Sequence, residues 1–478
     1  MERYELLIPG VGKPAGVVEV AAPFDGEVLA EVKAGDASHA EQALKTAVAL
    51  HRNVGGRLPL HERIAILERA AELMAGQHEA LSLGAAAEGG KPLIDSRVEV
   101  TRAIDGLKLC IETIRTEQGH VIPMGGTAAG AHRIAFTRRE PIGVVVAVSA
   151  FNHPLNLIVH QVATAVAAGC PVIVKPADIT PLSCLRFVRI LHEAGLPPEW
   201  CQVLIASDRD VSQGLVTDPR VAFFTFIGSA RVGWMLRSKL APGTRCALEH
   251  GGAAPLILAE DADLELAVPA IAKGGFYHAG QVCVSVQRVF AHRSVAGRFA
   301  EDLAARAGKL VIGDPQLEST EVGPLIRHAE VERVHAWVTE AVEAGAERLC
   351  GGDPISDSCY PATVLVEPPS DARVSNLEIF GPVVCVYAYD DIDAAIARAN
   401  DLPYAFQAAV FTRSLDTALR AFRRLDASAV MVNDHTAFRV DGMPFAGLRE
   451  SGLGIGGIGY SIHDMTIDKM MVMYSPEL

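Results

Sequence analysis

From about residue 140 onward the chain alternates short β-branched runs with helical stretches, and this rhythm restricts its fold more than any other feature. Ile142–Ala150 reads as a strand and 154–169 as a mostly apolar helix. Pro171–Lys175 is the next strand, followed by a helix from Pro181 to Ala194, strands at Gln202–Ala206 and Ala222–Ile227, and a helix opening at Ser229. The pattern then repeats: strand Pro255–Leu258, helix Leu264–Lys273, strand Gln287–Ala291, helices at 329–344 and 415–424, and strands at Val383–Tyr389 and Val430–Asn433. Strands alternating with helices predict parallel sheets covered on both faces, the doubly wound α/β class. With 478 residues there is chain enough for two such units in series.

The segment from Gly119 to Arg139 breaks the rhythm. His120–Pro123 and His132–Arg138 read as short strands around a Gly/Ala-rich turn, a protruding hairpin. Lys469–Tyr474 is also strand-like and free to pair with something similar.

Charge and hydropathy narrow the function. A formal charge of −14 leaves no cationic excess to displace phosphate counterions, which argues against a general nucleic-acid binder. Half the residues are hydrophobic and only 21% are charged, the reverse of a disordered composition. Mean hydropathy is +0.23, yet no apolar run reaches the roughly 18 residues of a membrane span. The longest, Ile142 to Phe151, stops at Asn152-His153-Pro154, and the apolar stretch beyond carries His160 and Gln161. The N-terminus lacks the apolar core of a signal peptide. Nine scattered cysteines without a CxxC pair suit a reducing cytoplasm, and no metal site is expected.

One of those cysteines stands out by its company. Cys283 lies in Ala-Gly-Gln-Val-Cys-Val-Ser-Val-Gln-Arg (279–288), where a glycine before a short turn exposes a thiol. Glu249 sits in Leu-Glu-His-Gly-Gly (248–252) and Asn152 in Ala-Phe-Asn-His-Pro (150–154). A thiolate attacks carbonyls, an amide N–H stabilises the oxyanion that forms, and a carboxylate activates water to hydrolyse a thioester.

Seven motifs in register make the chain resemble the aldehyde dehydrogenases: Asn152, Lys175-Pro176, Gly228-x4-Gly233, Glu249-x-Gly251-Gly252, Gly280-Gln281-x-Cys283, Glu378-Ile379-Phe380-Gly381-Pro382 and Pro444-Phe445-x-Gly447. The resemblance implies a Rossmann-like NAD-binding domain (1–118 and 140–249), an α/β catalytic domain (250–461) and a β-hairpin oligomerisation element (119–139 with 462–478), assembled as a homodimer or homotetramer. It implies Cys283 as nucleophile, Asn152 and the Cys283 N–H as oxyanion donors, and Glu249 as the base that hydrolyses the thioester. For the cofactor it implies Gly228, Ser229 and Gly233 at a helix N-terminus beside the pyrophosphate. Lys175 and Asp178 would lie at the adenosine ribose, and Glu378, Phe380 and Phe151 around the nicotinamide. Asp178 favours NAD, with NADP possible, because a carboxylate there repels a 2′-phosphate.

Departures from the family's commonest pattern touch none of these reacting groups and bear on the substrate and the interface: Phe151 stands where Trp is usual, His278 replaces an Asn, Ala446 replaces a Gly, and Ile455-Gly456 follows Gly454 where Arg-Glu is usual. Arg102, His153, Ser285 and Arg439 are the expected substrate-binding residues, since cations converging on a narrow pocket select an anionic aldehyde. The resemblance runs closest to dehydrogenases of phosphonoacetaldehyde, lactaldehyde and glyceraldehyde 3-phosphate. A phosphonate- or phosphate-bearing aldehyde such as phosphonoacetaldehyde is therefore the expected substrate, with lactaldehyde, glyceraldehyde 3-phosphate or another semialdehyde as alternatives. Transfer of the acyl group to coenzyme A, or an inactive structural relative, are the other readings. The presence of Glu249 and of all three reacting groups speaks against both.

Overall fold

The computed structural model describes residues 1–206 and 208–478. Two large sheets dominate it, and both are parallel except at one edge. The six-stranded sheet runs in the order Gly452–Leu453, Arg245–Glu249, Val221–Ile227, Val144–Val148, Val172–Lys175, Cys201–Val203. Only the Gly452–Leu453 edge is antiparallel. The seven-stranded sheet runs Glu347–Cys350, Thr363–Val366, Val383–Tyr389, Val286–His292, Ala254–Leu258, Gln407–Phe411, Ala429–Val432, with its first strand antiparallel.

These strands form because their β-branched and aromatic residues are buried on both faces. In Val144–Val148 the first four side chains are buried, and Val286–His292 is buried through Ala291. Helices cover both faces of the first sheet, giving one core around Val145, Val172 and Phe187 and another around Val146, Ile173 and Phe224. A third core surrounds the second sheet, with Phe290, Phe299 and Tyr387 at its centre.

The chain order of the first sheet reverses between Val144–Val148 and Val221–Ile227, and that of the second between Ala254–Leu258 and Gln407–Phe411. Open parallel sheets bind ligands outside the carboxyl ends of their strands at such a reversal. Asn152 follows the carboxyl end of Val144–Val148, Gly228 directly follows Val221–Ile227, and Glu249 ends its own strand.

The helix expected at 154–169 spans Asn156–Ala168 and contains a wider π turn at Val159–Ala163. Its polar residues are buried and bonded. Gln161 donates to Val148 O, Thr225 O and Thr225 Oγ1, which is why a long apolar stretch carries an amide in its middle. Among the described residues no helix is long and apolar enough to cross a membrane.

The hairpin strands are Val121–Ile122 and Arg133–Pro141, and Thr466–Tyr474 pairs antiparallel with the latter within the same chain, from Thr466↔Pro141 to Tyr474↔Arg133. The sheets also locate the crossings between units. The first falls between Glu249 and Ala254. The chain returns with Gly452–Leu453, which joins the first sheet, and Ile458, Ile462 and Met465 fill its core.

Candidate active site

Cys283 sits on the loop that feeds Val286–His292, half-buried in a small apolar cluster with Val282, Val284, Phe406, Phe445 and Tyr277. The loop is entered through three successive left-handed residues: His278 (φ 49°), Ala279 (φ 53°) and Gly280 (φ 68°). Only glycine fits the last, since a Cβ there would lie 2.1 Å from Gly381 O. Side chains other than glycine in this region cost of order 1–3 kcal/mol each, so the surroundings must hold them.

Gln281 does the holding. Its amide donates to His278 O (3.3 Å) and Pro324 O (3.2 Å), and its carbonyl oxygen accepts from Ile326 N (2.9 Å). Asn152 reaches across from the other sheet and donates from Nδ2 to the main-chain oxygen of Gln281 at 2.9 Å. The expected oxyanion donor is thus tied to the nucleophile's own loop, two residues before the thiol.

Glu249 and Glu378 are half-buried carboxylates beside the Gly251-Gly252 turn. Burial raises Glu249 to about 7, with the nearby Arg439 guanidinium pulling the other way. Its carboxylate lies against Gly456, where a Cβ would come within 2.1 Å of Oε1. Glu378 accepts from Gly252 N at 3.1 Å and is likewise pushed by burial to about 7, opposed by that hydrogen bond and by Arg333. Cys283 is pushed up to about 12, first by burial and then by the negative charge of Glu378 and Glu249. The resting group is therefore a thiol, and it becomes a nucleophile only with a proton acceptor at hand.

Comparison with known proteins gives the family. The profile of the aldehyde dehydrogenase family matches residues 12–471. The 3-sulfolactaldehyde dehydrogenase of Priestia aryabhattai is 37% identical over 474 residues, spanning 99% of this chain and 98% of that protein. The chain belongs to the aldehyde dehydrogenase family. Among solved structures, aldehyde dehydrogenase 21 from Physcomitrella patens, in complex with the reaction product succinate, superposes with a TM-score of 0.95 at 33% identity over 99% of this chain and 98% of that one. The glyceraldehyde-3-phosphate dehydrogenase GapN of Methanocaldococcus jannaschii, complexed with NADP, gives 0.91 at 33% identity over 96% and 99%. The resemblance read from seven motifs is borne out, and the enzyme class is that of NAD(P)-dependent aldehyde dehydrogenases.

The residues present fit a dinucleotide. Helix Ala230–Arg237 starts after Ser229, whose side chain makes no capping hydrogen bond, so first-turn N–H groups are left for an anion. Gly233 keeps that turn close to the sheet: a Cβ would strike the His250 ring at 2.0 Å, and His250 is itself fixed by a 2.9 Å bond between Nδ1 and Gly228 O. Phe151 and Phe380 meet edge to face with centroids 5.8 Å apart. Lys175 and Asp178, both expected at the ribose, pair with each other.

The substrate-side residues divide sharply. Arg102 was expected to face an anion, but its Nε and Nη2 bind Asp441 at 3.0 and 2.8 Å, and Asp441 also takes His160 Nε2 (2.7 Å) and Asn156 Nδ2 (3.2 Å). Burial works to raise Asp441, yet the bonds from His160 and Arg102 hold it far below the usual carboxylate range. His153 is no cation: burial, reinforced by Lys91, keeps it neutral beside His278, 6.1 Å away ring to ring. Ser285 turns inward and donates to Gly274 O (3.1 Å) and Gly275 O (3.3 Å). Arg439 is different. Its guanidinium lies 3.8 Å over the Phe445 ring, Nη1 is buried without a hydrogen-bond partner among the described residues, and its charge acts on both Glu249 and Cys283.

The role of Asp441 as the hub of this side was missed in the sequence, where Phe-Arg-Val-Asp offered only proximity to Arg439. Two outcomes test the electrostatics. Asp441→Ala strands Arg102 and His160 and is expected to cost about 3–5 kcal/mol, seen as a lower urea midpoint. Glu378→Gln removes a negative charge beside the thiol and is expected to speed iodoacetamide alkylation of Cys283 at about pH 8.5, followed by mass spectrometry.

Proposed function

We propose that this enzyme oxidises a small aldehyde with an anionic head to its carboxylic acid through a thioester on Cys283. The observation that carries the chemistry is the Asn152–Gln281 bond, which sets an amide donor beside the nucleophile's loop, with a carboxylate of pKa about 7 in the same pocket. Cys283 Sγ bonds to the aldehyde carbon while its proton passes to the Glu249 carboxylate and on to solvent. The carbonyl oxygen becomes an alkoxide held by Asn152 Nδ2 and the Cys283 N–H. The bound nicotinamide cofactor supplies the hydride acceptor that turns this adduct into a thioester. Ser229, Gly228, Gly233, Lys175, Asp178, Glu378, Phe380 and Phe151 are the residues we assign to holding it. Glu249 then takes a proton from water, the water oxygen attacks the acyl carbon, the C–S bond breaks, and the acid leaves with the thiolate reprotonated.

Arg439 supports an anionic substrate, because its buried Nη1 has no hydrogen-bond partner among the described residues and a phosphonate, phosphate or sulfonate oxygen would supply one. The relative named for 3-sulfolactaldehyde points to the same class of head group. Asp178 supports NAD over NADP, and Glu249 supports hydrolysis over transfer to coenzyme A. The exposed apolar side chains of the hairpin sheet, Phe136, Met470, Met471 and Tyr474 among them, support its use in a homodimer or homotetramer. Nine unpaired thiols accord with the cytoplasm.

Because only the ionised form of Glu249 accepts a proton, turnover is expected to fall as pH drops through about 7. Glu249→Gln should accumulate the acyl-enzyme after one burst of reduced cofactor, detectable as an added acyl mass on Cys283. With a panel of phosphonate-, phosphate-, sulfonate-bearing and neutral aldehydes, Arg439→Ala should raise KM for the anionic members by about tenfold or more and change the neutral ones little. Equal rates for anionic and neutral aldehydes in the unaltered enzyme would remove the anionic head from the proposal.

A further inference from the structure

Three polar residues of helix Leu93–Thr116 occupy one buried stripe at i, i+4 and i+7: Asp95, Glu99 and Arg102. Each engages a different part of the active site. Asp95 takes Lys273, on the helix that leads to the Cys283 loop, at 2.5 Å. Arg102 takes Asp441. Glu99 accepts from the main-chain N–H groups of both Leu155 and Asn156 through one oxygen, each at 2.9 Å, while its other oxygen pairs with Lys91. Lys91 and Glu99 are almost completely buried, their side chains 1% exposed.

A fully buried ion pair is an expensive way to hold a fold, since two charges must leave water and an apolar pair of similar volume would often serve as well. The position of this one gives it a use. The N–H groups it accepts belong to the third and fourth residues after Asn152, on the segment that carries the oxyanion donor out of the sheet. That segment is also held at its far end, where Asn156 Nδ2 donates to Asp441. The loop therefore cannot slide along the cleft without breaking bonds to a carboxylate that has no water to replace them.

We propose that Glu99, paired with Lys91, is a positioning residue that fixes Asn152 at the oxyanion. This rests on the assignment of Asn152 above, and the test separates the two. The probe is p-nitrophenyl acetate under single turnover with enzyme in excess, which reports acylation of Cys283 without hydride transfer. Glu99→Gln is expected to slow acylation by about tenfold or more in the otherwise unaltered enzyme, because a displaced donor loses much of its transition-state bond. It should have no further effect in an Asn152→Ala background, and iodoacetamide alkylation of Cys283, which forms no oxyanion, should be unchanged. Equal slowing in both backgrounds, or none in either, would overturn the proposal. If Asn152→Ala alone leaves the rate intact, it is the oxyanion assignment that fails. Should the uncompensated Lys91 prevent Glu99→Gln from folding, Lys91→Met combined with Glu99→Gln removes both charges. The same cycle in that pair, with slowing confined to the Asn152 background, supports the clamp, and additive slowing overturns it.

Discussion

The hydrogen bond from Asn152 Nδ2 to the main-chain oxygen of Gln281 joins two halves of a cleft that nothing in either sheet would align alone. Asn152 leaves the carboxyl end of a strand in the six-stranded sheet, and Gln281 precedes a strand of the seven-stranded one. Each sheet holds its own loop through packed, β-branched strands, but the relation between the loops depends on contacts across the cleft. Those contacts are polar and buried, so each is costly to leave unmade and together they define one arrangement.

The same burial sets the chemistry. Glu249 and Glu378 lie near 7 because a charged carboxylate is poorly solvated where they sit, and the Cys283 thiol is raised both by burial and by their charge. A base near 7 is suited to work at neutral pH, and a thiol that ionises only when a partner accepts its proton is protected between turnovers. Against this field stands Arg439, the cation whose charge favours the ionised forms of both Glu249 and Cys283.

Much of the fold was legible because its signals are local. Alternating β-branched runs and helices gave the strands at 172–175, 221–227 and 383–389 nearly to the residue, since buried parallel strands read as unbroken apolar runs. The candidate reacting groups were legible through their motifs: Glu249 and Cys283 each lie beside glycines next to a strand, and Asn152 stands in Ala-Phe-Asn-His-Pro just past a strand end. The substrate side was not. Arg102 and Asp441 lie 339 positions apart, and no property of either residue announces that they pair. His153 was read as a cation because a histidine's charge depends on burial, which no linear motif records.

The sequence by itself determined the class of fold and the family and singled out the candidate reacting groups, because strand and helix periods and the motifs at strand ends are written in neighbouring residues. Only the tertiary structure decided which charges survive in the pocket. It gave Arg102 to Asp441, neutralised His153, turned Ser285 inward and left Arg439 with a free nitrogen. Charge in a buried site is set by the three-dimensional surroundings of each group, by what is close enough to pair and by how much water remains, and those are properties of the assembled cleft.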